Sequence, residues 1–299
     1  MRQLSVVVTC TDRKMFDPLP ALRAGSLPDG AVADRLEAWG ERLRSAEERV
    51  PLIKLYKGEQ WVQAAAVLRA AENAGFEPDL WVASAGLGLQ PAKRSFPAYA
   101  ATFSPGSPDT VAAAPVDRRL WWKGLRKHVR GSRVEALGRD RPVLLILSEV
   151  YGSVLKPELG ELGANGHGVL LIGGTADDGA IAGVHHVPAN GALRKALGGT
   201  LTGLNARMAA TWLAQCENGD LMSPRTSRSW ERWVKRSAQP ERFNRAPMTD
   251  ADVKEYIRKS VAKQPDVSRT KLHRQLRESG RACEQGRFAN LYAETMGER

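Results

Sequence analysis

Four short runs of the chain are almost wholly apolar: Leu4–Val8, Leu80–Ala83, Val143–Leu147 and Val169–Ile172. A strand with one wet face alternates apolar and polar residues. A run without alternation belongs to a strand buried on both faces, which is the signature of a parallel sheet covered by helices. The segments between the runs suit that role. Asp34–Arg49 and Gly58–Ala74 carry apolar residues at helical spacing, and so do Leu120–Leu137 and Leu201–Cys216. Strand, helix and strand in succession predict an α/β body of three layers around a central, mainly parallel, four-stranded sheet. The segment His185–Val187 reads as part of a hairpin.

Each run ends in small or polar residues: "TCTDRK", "SAGLGL", "SEVYGS" and "GGTADDG". Sheets of this class place their working loops at the carboxyl ends of the strands, so chemistry is expected in these four stretches. Asp12 offers a carboxylate to activate a water or steady a cation, and Arg13 and Lys14 offer charge for a phosphate. Taken alone, the same residues read more readily as a helix cap with solvated charges. Cys10 sits beside those bases, where a thiol gains acidity, yet no histidine is near it in sequence, so a buried structural thiol is the leading expectation. Lys57 precedes Gly58 at a helix start, a natural anion site. Ser148, Glu149 and Tyr151 follow the third run, and Asp177 and Asp178 follow the fourth; these supply further acids and hydrogen-bonding groups.

The stretch Ser84–Gly106 raises a sharper question. Gly86 and Gly88 permit close approach of a phosphate or oxyanion. Pro97 and Pro105 argue against a regular helix, which leaves Tyr99 and Phe103 as a clamp for a flat ring. Ser84, Lys93 and Arg94 complete a pocket-wall chemistry. The segment Asp117–Gly131 interleaves Trp121 and Trp122 with Lys123 and Arg126. It reads either as an amphipathic helix with a solvated basic face or as one that contacts a nucleic-acid strand.

Charge decides the class of partner. The net charge is +11, and the segment 225–299 holds 18 Lys and Arg against 10 Asp and Glu, which leaves only +3 for the first 224 residues. Such an excess points to DNA or RNA first and an anionic membrane surface second. No apolar run approaches the ~20 residues needed to span a bilayer. The first residues lack the pattern of a cleaved leader. Three widely spaced cysteines fit neither a disulfide framework nor a zinc site, so a reducing cytoplasm is expected, and no metal ion or organic cofactor is called for.

The turn-rich "NGDLMSPRTSRS" marks a boundary. The expected organisation is an α/β domain over 1–222, a basic linker over 223–247 and a helical nucleic-acid-binding domain over 248–299. In the last part, Thr249 or Asp250 caps one helix, and "SRTKLHRQLRESG" runs from a Ser cap to a Gly stop. Lys271 and Arg274 are its candidate DNA contacts. The three helices suggest a helix-turn-helix or winged-helix module.

The residues "VVVTCTDRK…LYKGEQW…DLWVASAGLGLQPAKRSFPAYAATF" resemble a loosely defined bacterial and phage family. That family is similar to the accessory domain of archaeosine tRNA-guanine transglycosylases, to the DNA-binding peroxide-stress proteins and to the uracil-DNA-glycosylase fold. The resemblance covers roughly residues 4–215. It implies a DNA glycosylase that flips a base and breaks its bond to the sugar with a water. Asp12 is then the group that positions water, with Ser84 and Ser148 as further catalytic candidates. Cys10, Gly86, Tyr99, Phe103 and Tyr151 would contact the base. The chain lacks the Gly-Gln-Asp-Pro-Tyr and His-Pro-Ser-Pro motifs of the uracil enzymes, so the implied target is a modified base. Glucosylated hydroxymethylcytosine in double-stranded phage DNA is one comparison, and antiviral defence the implied setting. No obligate protein partner is called for. A base-exchanging transglycosylase and a non-enzymatic DNA-binding regulator sensing a small ligand are the alternatives. The segment "LRESGRACEQGRF" resembles a small helical module recurring in bacterial proteins, in which Arg281, Glu284 and Arg287 serve either as an internal ion-pair set or as a phosphate grip.

Overall fold

The computed structural model describes residues 1–174, 179–239, 246–265 and 267–297, so Asp177 and Asp178 lie outside the described residues. Two compact units are present, 1–239 and 240–299.

The first unit is built on a six-stranded sheet. Its strands are β1 (Arg2–Thr9), β2 (Phe76–Ser84), β3 (Gly88–Pro91), β4 (Val143–Leu147), β5 (Val169–Gly173) and β6 (Val184–Val187), in the order β3-β2-β1-β4-β5-β6. All neighbours are parallel except β2 and β3. The four apolar runs are the four inner strands. Every residue of β4 and β5 is buried, as strands without a wet face require. The sheet is two strands wider than the sequence suggests. Residues 184–187 form a parallel edge strand, with Ile172 opposite Val187, rather than a hairpin. Gly88–Pro91 folds back antiparallel on β2, Ser84 opposite Gly88.

The helices are α1 (Val32–Ser45), α2 (Glu59–Asn73), α3 (Pro115–Val129), α4 (Glu149–Asn165), α5 (Leu204–Leu213) and α6 (Pro224–Ser237). They form two packed sets, α1 with α3 and α4, and α2 with α5. Sheet and helix sets share one core, in which Trp39, Trp121 and Trp212 are fully buried.

The expected linker is corrected by α6. Ser223 caps that helix by accepting a hydrogen bond from Arg225 N. Its Trp230 is buried in the main core, 5.7 Å from the Trp212 ring. A helix with an apolar face must cover it, so this stretch joins the body and the boundary moves to about residue 240.

The second unit has its own small core of Val253, Ile257, Leu272, Leu276 and Phe288. Its helices are α7 (Asp250–Lys263), α8 (Arg269–Glu278) and α9 (Gln285–Gly297). Thr249 and Asp252 cap α7 reciprocally, and Ser268 caps α8. Gly280 takes φ +79° just past the end of α8, as a helix stop does.

Candidate functional site

In the first unit the chain moves outward from β1 in one direction to β2 and β3 and in the other to β4, β5 and β6. The order reverses between β1 and β4, and loops leaving those two strands diverge there, opening a crevice at their carboxyl ends. A cleft of about 570 Å³ occupies that place. Its lining includes Thr9–Arg13 after β1 and Leu147 and Ser148 after β4. The other walls come from Gly58–Gln60, from Thr102 and Ser104, and from Thr200–Thr202 with Asn205.

Backbone pairing brings the loop after β1 and the segment leading into Gly58 together. Met15 N donates to Leu55 O at 2.8 Å, and Lys57 N donates to Arg13 O at 3.0 Å. Gly58 then turns at φ +94° to start α2, packed so closely under Arg13 that a Cβ would lie 3.1 Å from Arg13 Cδ. That is a position for glycine.

Two carboxylates line the cleft, and they differ in commitment. Glu59 is paired with Arg207 and accepts from Thr200 N at 3.2 Å and Thr200 Oγ1 at 2.6 Å, which ties α2 to the loop before α5. Asp12 is exposed and makes no hydrogen bond or ion pair with a described residue. Two amides are half committed. Gln60 Nε2 donates to Thr9 O and Thr9 Oγ1, and Asn205 Nδ2 donates to Leu147 O at 3.0 Å. Because a carbonyl only accepts, these bonds fix which end of each amide is nitrogen. The two amide oxygens make no bond to a described residue and remain acceptors. Ser148 is the cap residue of α4, yet its hydroxyl makes no cap bond.

Beneath the cleft lies a buried polar seam. Ala85 N donates to Tyr151 Oη at 2.9 Å, which leaves that phenol able to donate to Cys10 Sγ, 3.3 Å away. Tyr56 Oη lies 2.6 Å from Tyr99 Oη, Tyr99 Oη lies 2.5 Å from Ser84 Oγ, and Ser84 Oγ accepts from Gly86 N at 3.1 Å. Burial holds all three phenols well above the usual range for tyrosine. Lys14 is also buried. Its Nζ donates to Thr11 O and stands 4.4 Å from the centroid of the Tyr99 ring. Burial lowers its pKa, against the opposing pull of Cys10 and Asp12.

The structure therefore sorts the expected residues. Cys10, Asp12, Arg13, Ser148 and Tyr151 meet at the cleft. Ser84, Tyr99 and Phe103 have no exposed surface, so neither ring can stack on a guest and Ser84 cannot reach one. Phe103 packs instead against Tyr151 and Trp122. Gly86 is needed not for a phosphate but for the Tyr99 ring, two of whose carbons would stand 2.6 Å from a Cβ there. Lys14 is withdrawn into the seam as well.

The other cations lie elsewhere. Lys57 is exposed beside the cleft without lining it. Lys93 and Arg94 follow β3, which runs back from Ser84 toward Trp81 and carries them away from the strand ends. Arg94 is further tied to Gln90 Oε1 and Arg130 O. Lys123 and Arg126 line a separate groove between α3 and α4, with Trp122, whose indole donates to Glu158. Lys271 and Arg274 are exposed on α8 of the second unit, where Arg274 pairs with Glu278. Glu149 is exposed at the start of α4 but does not line the cleft. In the second unit Glu284 accepts from Gly286 N and Arg287 N at the start of α9, while Arg287 pairs with Asp250. Those two roles are internal.

Sequence reasoning passed over Gln60, Thr200, Thr202 and Asn205. A lone asparagine within the apolar "LTGLNARMAATWL" was the one available signal. Among the described residues no group of three His, Cys, Asp or Glu could hold a metal ion, and no helix is long and apolar enough to cross a membrane. No family model, curated protein or solved structure matches this chain.

Proposed function

We propose that the chain is a DNA glycosylase of uracil-DNA-glycosylase-like architecture, hydrolysing the bond between sugar and a modified base. The observation that carries this reading is the state of Asp12. It is the one uncommitted carboxylate among the cleft's lining residues, and it sits at the switch point of the sheet. Uncommitted acceptors on Gln60 and Asn205 and the Ser148 hydroxyl line the same cleft.

The parts suit the reaction. The cleft volume falls within the range that accepts a small-molecule-sized guest, and a flipped nucleoside is of that scale. Asp12 would hold a water against the anomeric carbon and offset the positive charge that grows on the sugar. As the water oxygen bonds to that carbon and gives up a proton to Asp12, the bond to the base breaks, and the base departs with its electron pair and takes up a proton from solvent. Gln60 and Asn205 oxygens would accept from the amino edge of the base. Ser148, with the positive end of the α4 dipole behind it, and Arg13 would meet a flanking phosphate. The basic surplus supports a polyanionic substrate.

The test incubates the purified protein with phage DNA carrying glucosylated hydroxymethylcytosine, and separately with unmodified DNA, followed by alkaline cleavage of abasic sites. Fragmentation of the modified DNA, lost in Asp12→Asn while DNA binding persists, is the expected result. Intact DNA in both reactions overturns the proposal. Binding without turnover would then favour a ligand-sensing regulator.

A further inference from the structure

Helix α6 carries Arg225, Arg228, Arg232, Lys235 and Arg236, all exposed, against the single acid Glu231. Their spacing is i, i+3, i+7, i+10 and i+11. At 3.6 residues per turn this gathers all five within an arc of about 100°, along roughly 16 Å of helix. The opposite face is committed to the core. Thr226 and Trp230 are buried, and the Trp230 ring stands 5.7 Å from Trp212 and 5.2 Å from Trp233. The stripe is therefore held in one orientation by the packing of Trp230 against Trp212 in the core.

The stripe is also largely unneutralised. Arg225 pairs with Glu217 at 2.9 Å, at a site exposed on both sides. Among the described residues, Arg232 donates to Arg228 O and Ser229 Oγ alone. Arg228, Lys235 and Arg236 make no ion pair among the described residues. Beside the stripe runs a groove of about 560 Å³ between α5 and α6, lined by Arg232, Trp233, Lys235 and Arg236 with Thr211 and Gln215.

We propose that this stripe is a grip for the phosphate backbone of duplex DNA, belonging to the α/β body and separate from the helical unit. The proposal shares the nucleic-acid substrate of the glycosylase reading but does not depend on base release. Charge complementarity favours this occupant, because a duplex presents one negative charge per ~1.7 Å of its axis and a row of fixed cations can displace its counterions. A membrane surface fits poorly. A basic helix that lies on lipid must insert its apolar face, and here that face is spent on Trp212 and the core.

The experiment uses the full chain and a 20-base-pair duplex, and measures affinity across a salt series. Arg228→Gln/Arg232→Gln/Arg236→Gln should weaken binding by about tenfold or more near 0.1 M salt and lower the slope of log affinity against log salt by roughly 2–3. A matched control removes three exposed bases elsewhere on the body, Lys54→Gln/Arg69→Gln/Arg139→Gln, and should leave the slope unchanged. Arg228→Lys/Arg232→Lys/Arg236→Lys should keep it. Equal losses in stripe and control variants would mean diffuse attraction only and overturn the proposal. So would an unchanged slope in the stripe variant, loss of the slope in the all-Lys variant, or a stripe that governs binding to phosphatidylserine vesicles and not to DNA. Alkali-stable DNA alongside a lowered slope would sink the glycosylase reading and leave the grip standing.

Discussion

The three hydroxyls of Tyr56, Tyr99 and Ser84 form a chain in which the middle member serves two partners. Removing an end and removing the middle should therefore differ. Tyr56→Phe deletes one bond but leaves Tyr99 Oη bonded to Ser84, a loss of about 1 kcal/mol for one ordinary buried hydrogen bond. Tyr99→Phe strands the Tyr56 hydroxyl in a side chain only 3% exposed, with no other partner among the described residues. An unmade buried hydroxyl adds its desolvation penalty, so this change should destabilise by about 2–3 kcal/mol. The double variant removes the stranded group along with its partner and should fall near 2 kcal/mol, below the sum of the singles by about 1 kcal/mol or more.

Urea unfolding followed by tryptophan fluorescence is a suitable assay, because all eight tryptophans lie in the first unit and the signal reports that unit alone. Independent sites add within about 0.3–0.5 kcal/mol. Equal single-variant losses that sum in the double variant would refute the claim that Tyr99 is the hub of the seam.

Burial holds the Lys14 ammonium below its usual 10.5, so the unfolded chain binds the extra proton and stability gains as pH rises toward 10.5. The three buried phenols, raised above 10.0, act the other way and lose stability above that pH. Comparing wild type with Lys14→Met cancels the phenols. The variant's relative stability should be greatest near neutral pH and shrink toward pH 10.5, and a pH-independent difference in urea midpoint would contradict this. Gly86→Ala forces a Cβ against the Tyr99 ring and should cost about 1–3 kcal/mol by overpacking, read in the same denaturation. Gly173 takes φ +121°, and a Cβ there would stand 1.8 Å from Leu147 O and 2.7 Å from Asn205 Nδ2. Gly173→Ala should thus displace the Asn205 amide and abolish base release more completely than Asn205→Ala, compared by initial rates on the modified DNA.

The inner strands were legible because burial on both faces leaves a local trace, a run with no alternation. The edges left none. Val184–Val187 pairs with β5 through contacts remote in sequence, and Gly88–Pro91 is short and rich in turn formers. Helix α4 was missed for a different reason. Gly152, Pro157, Gly160 and Gly163 all speak against a helix, and tertiary packing overrides them with Tyr151, Leu155, Leu159 and Leu162 buried along it. The cleft residues Cys10, Asp12, Arg13, Ser148 and Tyr151 could be placed together because a parallel sheet collects its strand ends. Gln60 and Asn205 sit within helices whose cleft-facing turn depends on how those helices pack, which no local pattern records.

The stretch Ser84–Gly106 shows where such reading stops. Its glycines, serine and aromatics do form a mutually fitted set, as the sequence suggested. The flat ring that Gly86 admits is the chain's own Tyr99, held by Tyr56 from 43 positions away. A glycine that permits close approach carries no record of what approaches, and a buried phenol differs from a stacking platform only by partners supplied from elsewhere. The seam nonetheless bears on the site. It fixes the floor on which Cys10 and Tyr151 stand, so variants of Tyr99 should alter the cleft through its floor rather than through contact with a guest. Tyr99→Phe should therefore change stability more than it changes the affinity of the intact protein for DNA, the reverse of what a stacking residue would do.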